Sequence, residues 1–126
     1  MRLSRRFVPW CVALAVFASV SVWGLTQAAD AYEAPIFNSL RYLASLETWA
    51  AGWGTIGVFA VVASITRRPW AWMAATIGAT FMATVWWASV TWEWMHGERL
   101  SWTGFGLWFW FAFTNVTIGR SHPFER

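Results

Sequence analysis

From Pro69 to Trp92 the chain runs 24 residues without Asp, Glu, Lys or Arg, bounded by Arg67-Arg68 on one side and Glu93 on the other. As a helix rising about 1.5 Å per residue, that run is about 36 Å long, enough to span a hydrocarbon layer of about 30 Å. Trp70 and Trp72 mark its basic end, and Trp92 and Trp94 its acidic end. Indoles favour the boundary between lipid and water, so the stretch reads as one complete membrane crossing with an anchor at each end.

Three more runs lack these charged residues, so that the predicted spans cover residues 7–29, 48–66, 69–92 and 100–119. Only 12% of the 126 residues are charged and 58% are hydrophobic, against about 25% charged in ordinary soluble domains. No linker-like or low-complexity stretch divides the chain. The expectation is therefore an all-α integral membrane protein, a four-transmembrane-helix bundle forming one membrane domain over residues 1–126.

The net charge of +3 does not point to nucleic acid, because the basic residues are scattered along the chain. They are instead sorted by loop. Arg2, Arg5, Arg6, Arg67, Arg68, Arg120 and Arg126 share one predicted side with Glu125, a balance of +6. Asp30, Glu33, Glu47, Glu93 and Glu98 share the other with Arg41 and Arg99, a balance of −3. Because positive charge collects on cytoplasmic loops, this sorting predicts a multi-pass protein with both termini inside. Arg5, Arg6, Arg67, Arg68 and Arg120, with Trp70, Trp72, Trp92, Trp94 and Trp102, are the expected topology anchors. Cys11 is the lone cysteine, which leaves no intrachain disulfide and no paired-cysteine motif.

The first run follows MRLSRR and admits two readings, a cleaved secretory signal or a retained span. It exceeds the usual apolar signal core of about 7 to 15 residues, and Trp23 stands near its outer end, which favours retention. Between the first two runs, Ile36, Phe37, Leu40, Leu43 and Ala44 share a helical face, opposite Asn38, Arg41 and Ser45. That pattern predicts a short amphipathic interfacial helix, with Tyr42 as a further anchor.

Close packing is expected on two helices. Gly52, Gly54 and Gly57 lie in the second span; in the third, Ala71, Ala75, Ala79 and Ala83 recur every fourth residue, with Thr76, Thr80 and Thr84 one position on. Small residues let helix backbones approach, so these ten positions form the predicted packing or oligomer face. Ile77, Phe81 and Val85 fall opposite. In the fourth span, Trp108 and Trp110 lie too deep for an interface belt and are expected to fill space against the small faces.

Glu93, three residues before His96 with Glu98 beyond, has the spacing of a helical ligand pair. Gly97 and the absence of a second histidine on that side argue for a solvated outer loop instead. No ionisable residue falls in the inner part of any predicted span, which disfavours a proton- or ion-coupled carrier. No nucleophilic triad, phosphate loop or dinucleotide motif is present. The expectation is a non-enzymatic protein with no cofactor, no metal and no nucleic-acid partner.

The four-span layout, with SLRYL at 39–43, AAGWG at 50–54 and SWTGFG at 101–106, resembles small membrane proteins of actinobacterial bacteriophages. Some of those are holin-like and others have no assigned role. The resemblance implies permeabilisation of the host membrane by self-association. Four spans and a short, mildly basic tail depart from the usual holin pattern. The alternative is a scaffold or accessory subunit, including a phage exclusion factor, packed against another membrane protein; a small-solute carrier ranks below both. The expected partners are the lipid bilayer and either a second copy or another membrane protein.

Overall fold

A computed structural model describes residues 2–27 and 38–97, together with 113, 114, 117, 118, 124 and 125. Strand β1 (Arg2–Leu3) and a 3-10 turn (Arg5–Phe7) lead into helix α1 (Val8–Gln27). The short helix α2 (Asn38–Leu43) precedes α3 (Leu46–Thr66) and α4 (Pro69–Met95), and β2 (Phe124–Glu125) follows. Three helical stretches are long and apolar enough to cross a membrane: Arg5–Gln27, Leu46–Thr66 and Pro69–Met95. The predicted fourth span, 100–119, lies outside the described residues apart from two helical pairs, Phe113 with Thr114 and Thr117 with Ile118.

Local chemistry explains the helix ends. Ser45 caps α3 by accepting a hydrogen bond from the Thr48 amide at 3.2 Å, and Glu47 sits in the first turn, where a carboxylate complements the helix dipole. At the other end Arg67 takes a left-handed conformation, φ 55°, and its amide bonds back to the Ala63 carbonyl. Arg68 is extended, as the residue before a proline must be, and Pro69 opens α4, where a missing amide hydrogen costs least. The acidic cluster does not stop α4 at Trp92: the helix runs on through Glu93 to Met95. Glu93 and His96 thus belong to a helix end, not to the solvated loop expected of them.

Helix α3 is the middle element, packed against α1 on one side and α4 on the other. The two crossings are close because of single glycines. A Cβ on Gly57 would stand 3.3 Å from the Ala18 methyl of α1, and one on Gly78 would stand 3.1 Å from Ile56 of α3. The main core fills the space between helices with tryptophan. Trp53 is fully buried and meets Phe17 edge-on at 5.4 Å, while Trp49 and Trp86 form a T-shaped pair at 5.8 Å. A second cluster gathers Leu3, Cys11, Ala63, Ala71 and Trp72, with Phe7, Ile118 and Phe124 packed on it.

Candidate functional site

The predicted packing face divides according to helix geometry. A residue turns about 100° from the one before it, so a row of every fourth residue drifts by about 40° per step. Ala71, Ala75, Ala79 and Ala83 stay inside the buried arc of α4 throughout. The threonine row starts at the edge of that arc. Thr76 is buried, Thr80 is half-buried and Thr84 is exposed, so Thr84 lies outside the part of the predicted packing or oligomer face that is packed within the chain. Thr76 donates to the Trp72 carbonyl at 2.9 Å, which satisfies the hydroxyl within its own helix. On the far side Ile77 and Phe81 are exposed, but Val85 packs against the core.

The three glycines of α3 also separate. Gly57 is buried against α1, and a Cβ on Gly52 would stand 3.1 Å from the Met82 methyl of α4. Gly54 has open space: a Cβ there would meet only Val22, at 3.9 Å. It lines an apolar groove of about 500 Å³ between α1 and α3, with Ser19, Val22, Trp53, Gly57 and Val58. Gly78, whose contact with Ile56 is as close as any, is not part of the predicted face: Ala74 stands four residues before it, but Met82 four residues after it ends the small-residue row.

The expected anchors are not equivalent either. Trp70 and Trp72 are two residues apart, about 200° around the helix, and they face different surroundings. Trp70 is exposed and meets Phe59 at 6.0 Å. Trp72 is only 2% exposed and packs edge-on against Phe7 at 5.6 Å, which makes it a core residue and not the interface anchor expected. Trp92 and Trp94 are exposed. Trp102 and Arg120, like Trp108 and Trp110, lie outside the described residues.

At the basic end Arg5, Arg6 and Arg68 are exposed, with the Arg6 guanidinium 4.9 Å from the Phe7 ring centre. Arg67 is half-buried and tied to Leu3 in both directions: the Leu3 amide donates to the Arg67 carbonyl at 2.8 Å, and Arg67 Nε donates to the Leu3 carbonyl at 2.8 Å. Beside this clasp β1 and β2 pair antiparallel, Arg2 opposite Glu125 and Leu3 opposite Phe124. The first residues, the α3–α4 turn and the tail strand therefore meet at one end of the bundle.

The acidic end is closed by α2. Its Leu40 is fully buried, and the Leu40 carbonyl accepts from Trp49 Nε1 at 3.2 Å. Glu93 reaches across from α4: its Oε1 accepts from the Ser39 amide at 3.2 Å and from Ser39 Oγ at 2.5 Å. His96 stacks on Trp92 with ring centres 4.4 Å apart, and its Nδ1 lies 2.8 Å from the Trp92 carbonyl. Glu93 and His96 are thus engaged with other groups, and among the described residues no three His, Cys, Asp or Glu side chains gather as a metal site. The amphipathic face predicted for α2 is buried only in part: Leu40 is inside, Leu43 is exposed, and Ile36 and Phe37 lie outside the described residues.

Compared with known proteins, the chain matches no family model, no curated protein and no solved structure.

Proposed function

We propose that this protein is a non-enzymatic, multi-pass membrane scaffold or accessory subunit, which acts by presenting its outer surfaces to another membrane protein. One observation carries the choice between this reading and the holin-like one. The alanine row of α4, a main part of the face expected to support self-association, is buried inside the chain's own bundle. A face already packed in one core with Trp53 and Ile56 of α3 is not available to a second copy without unpacking the core. Holin-like permeabilisation is the second reading. It is favoured by the exposed ridge Val12, Val16 and Val20 of α1, beside the groove at Gly54, which offers a different surface for self-association.

The proposed architecture keeps four spans with both termini in the cytoplasm of a bacterial inner membrane. The β1–β2 pair and the Leu3–Arg67 clasp support it. Helix α4 runs from Pro69 to Met95, yet Phe124 pairs beside Leu3 near its start, so the 27 residues 98–124 have to cover the distance between its two ends. As a helix they would measure about 40 Å, as α4 does. The positive-inside charge balance favours a cytoplasmic position for the clasped end. Helix α2, with Tyr42 90% exposed and Leu43 also exposed at the acidic end, takes the interfacial role.

Expression alone tests the functional reading. At high, verified membrane levels and without other phage proteins, the membrane potential should stay intact. An abrupt collapse above a threshold density would put the holin-like reading first. Reporter fusions after Arg68 and Gly97 check the topology, the former active only as a cytoplasmic reporter and the latter only as an extracytoplasmic one.

A further inference from the structure

Five arginines of the described chain, Arg2, Arg5, Arg6, Arg67 and Arg68, converge on one end of the bundle, although they come from segments some sixty residues apart. The clasp is what joins them. The hydrogen bond from the Leu3 amide to the Arg67 carbonyl, 2.8 Å long, links the Arg2–Leu3 peptide directly to the Arg67–Arg68 peptide. Standard backbone dimensions then hold the Cα atoms of Arg2 and Arg68 within about 8 Å of each other.

Not all five guanidiniums are available to a ligand. Arg67 is bound to the Leu3 carbonyl, and Arg6 lies over Phe7. Arg2, Arg5 and Arg68 are exposed, and none of the three has a side-chain hydrogen bond or ion pair among the described residues. Arg2 is tied through its backbone into the β1–β2 pair, whereas Arg5 and Arg68 stand at the turns that lead into α1 and α4, so these two are the principal candidates. Next to Arg68 in the chain the surface turns apolar: Ile65, three residues before it in the last turn of α3, and Trp70, two residues after it in the first turn of α4, are both exposed.

Positive charge above an exposed apolar rim is the complement of a lipid with an anionic headgroup. We propose that the clasped end of the bundle binds the phosphodiester of an anionic membrane lipid, with Arg5 and Arg68 as the principal partners, Arg2 at the flank and Ile65 and Trp70 against the acyl chains. Guanidinium forks match phosphate oxygens in pairs, which an ammonium cannot do. A soluble phosphate would use the arginines but not the rim. This inference rests on the membrane reading of the helices and is independent of the choice between scaffold and holin-like roles.

The test uses the full chain reconstituted in vesicles of equal parts phosphatidylglycerol and phosphatidylcholine, extracted in neutral detergent, with retained lipid counted by native mass spectrometry. Wild type should retain phosphatidylglycerol selectively, and each arginine removed should reduce that selectivity about fivefold. The double variant R5Q/R68Q should approach equal retention, R5K/R68K should fall between it and wild type, and Arg41→Gln at the opposite end should behave as wild type. Arg2→Gln, which touches neither the 3-10 turn nor the α3–α4 turn, gives a smaller loss and serves if the double variant does not insert. Equal retention by wild type, undiminished selectivity in R5Q/R68Q, or full selectivity in R5K/R68K would overturn the site. Displacement of the lipid by millimolar inorganic phosphate would also overturn it, in favour of a soluble anion.

Discussion

Leu3 and Arg67 exchange hydrogen bonds in both directions, amide to carbonyl and guanidinium to carbonyl, each 2.8 Å long. Arg67 holds this position in a left-handed conformation, the only non-glycine residue with positive φ among those described. A left-handed backbone costs an ordinary residue roughly 1–2 kcal/mol, so the side chain has to offset what glycine would avoid. The fully buried Leu3 is what that side chain secures.

Arg67→Ala should lose the guanidinium bond and keep the backbone cost, destabilising the bundle by about 2 kcal/mol. Arg67→Gly loses the same bond but relaxes the backbone, and should recover about 1 kcal/mol of that. Equilibrium unfolding in mixed micelles orders the three proteins as wild type, glycine, alanine. An alanine variant as stable as wild type would show that the clasp contributes nothing.

Ala79 is fully buried and Phe81 is 64% exposed on the opposite side of α4. Ala79→Leu should therefore cost about 1–3 kcal/mol by overpacking, whereas Phe81→Ala should leave stability in detergent nearly unchanged. The reverse order in thermal denaturation would place the helix contact on the far face.

Gly57 and Gly54 are one helical turn apart and differ in what surrounds them. An added methyl meets Ala18 at 3.3 Å in the first case and Val22 at 3.9 Å in the second. Both alanine variants gain the same helix propensity, about 1 kcal/mol, so their difference isolates packing. Gly54→Ala should be the more stable of the two by about 1 kcal/mol, and equal unfolding midpoints would contradict the close α1–α3 crossing. The same crossing bears on the amino-terminal run: α1 packs along α3 and carries Leu14 and Ala18 into the core, so intact-mass measurement of the purified protein should find this segment retained.

Glu93 and Ser39 are 54 residues apart in sequence and joined by two hydrogen bonds to one carboxylate oxygen. Glu93→Ala should release α2 from the end of α4, seen as faster hydrogen exchange over residues 38–43, while Glu93→Gln retains an acceptor and should do so less. A double-mutant cycle with Ser39→Ala should give a coupling of about 1–2 kcal/mol. Independent effects of the two substitutions would mean that the connector is held by Leu40 and Trp49 alone.

The sequence by itself determined three membrane-length helices, the tight turn at Arg67-Arg68-Pro69, and the sorting of charge to their ends. Those features depend on what each segment carries locally: an uncharged run sets a length, and a proline after two arginines sets a break. Which side of each helix faces inward depended on its neighbours. The spans are apolar nearly all round, so no polar stripe distinguishes inside from outside, and only packing separates buried Trp72 from exposed Trp70 or buried Thr76 from exposed Thr84. The same holds for the ends. Glu93 looked like a solvated acid because its partner lies 54 positions away, and Arg67 looked like a plain topology charge because the carbonyl it binds belongs to Leu3. Such pairings exist only once the helices have closed on one another, and no local pattern encodes them.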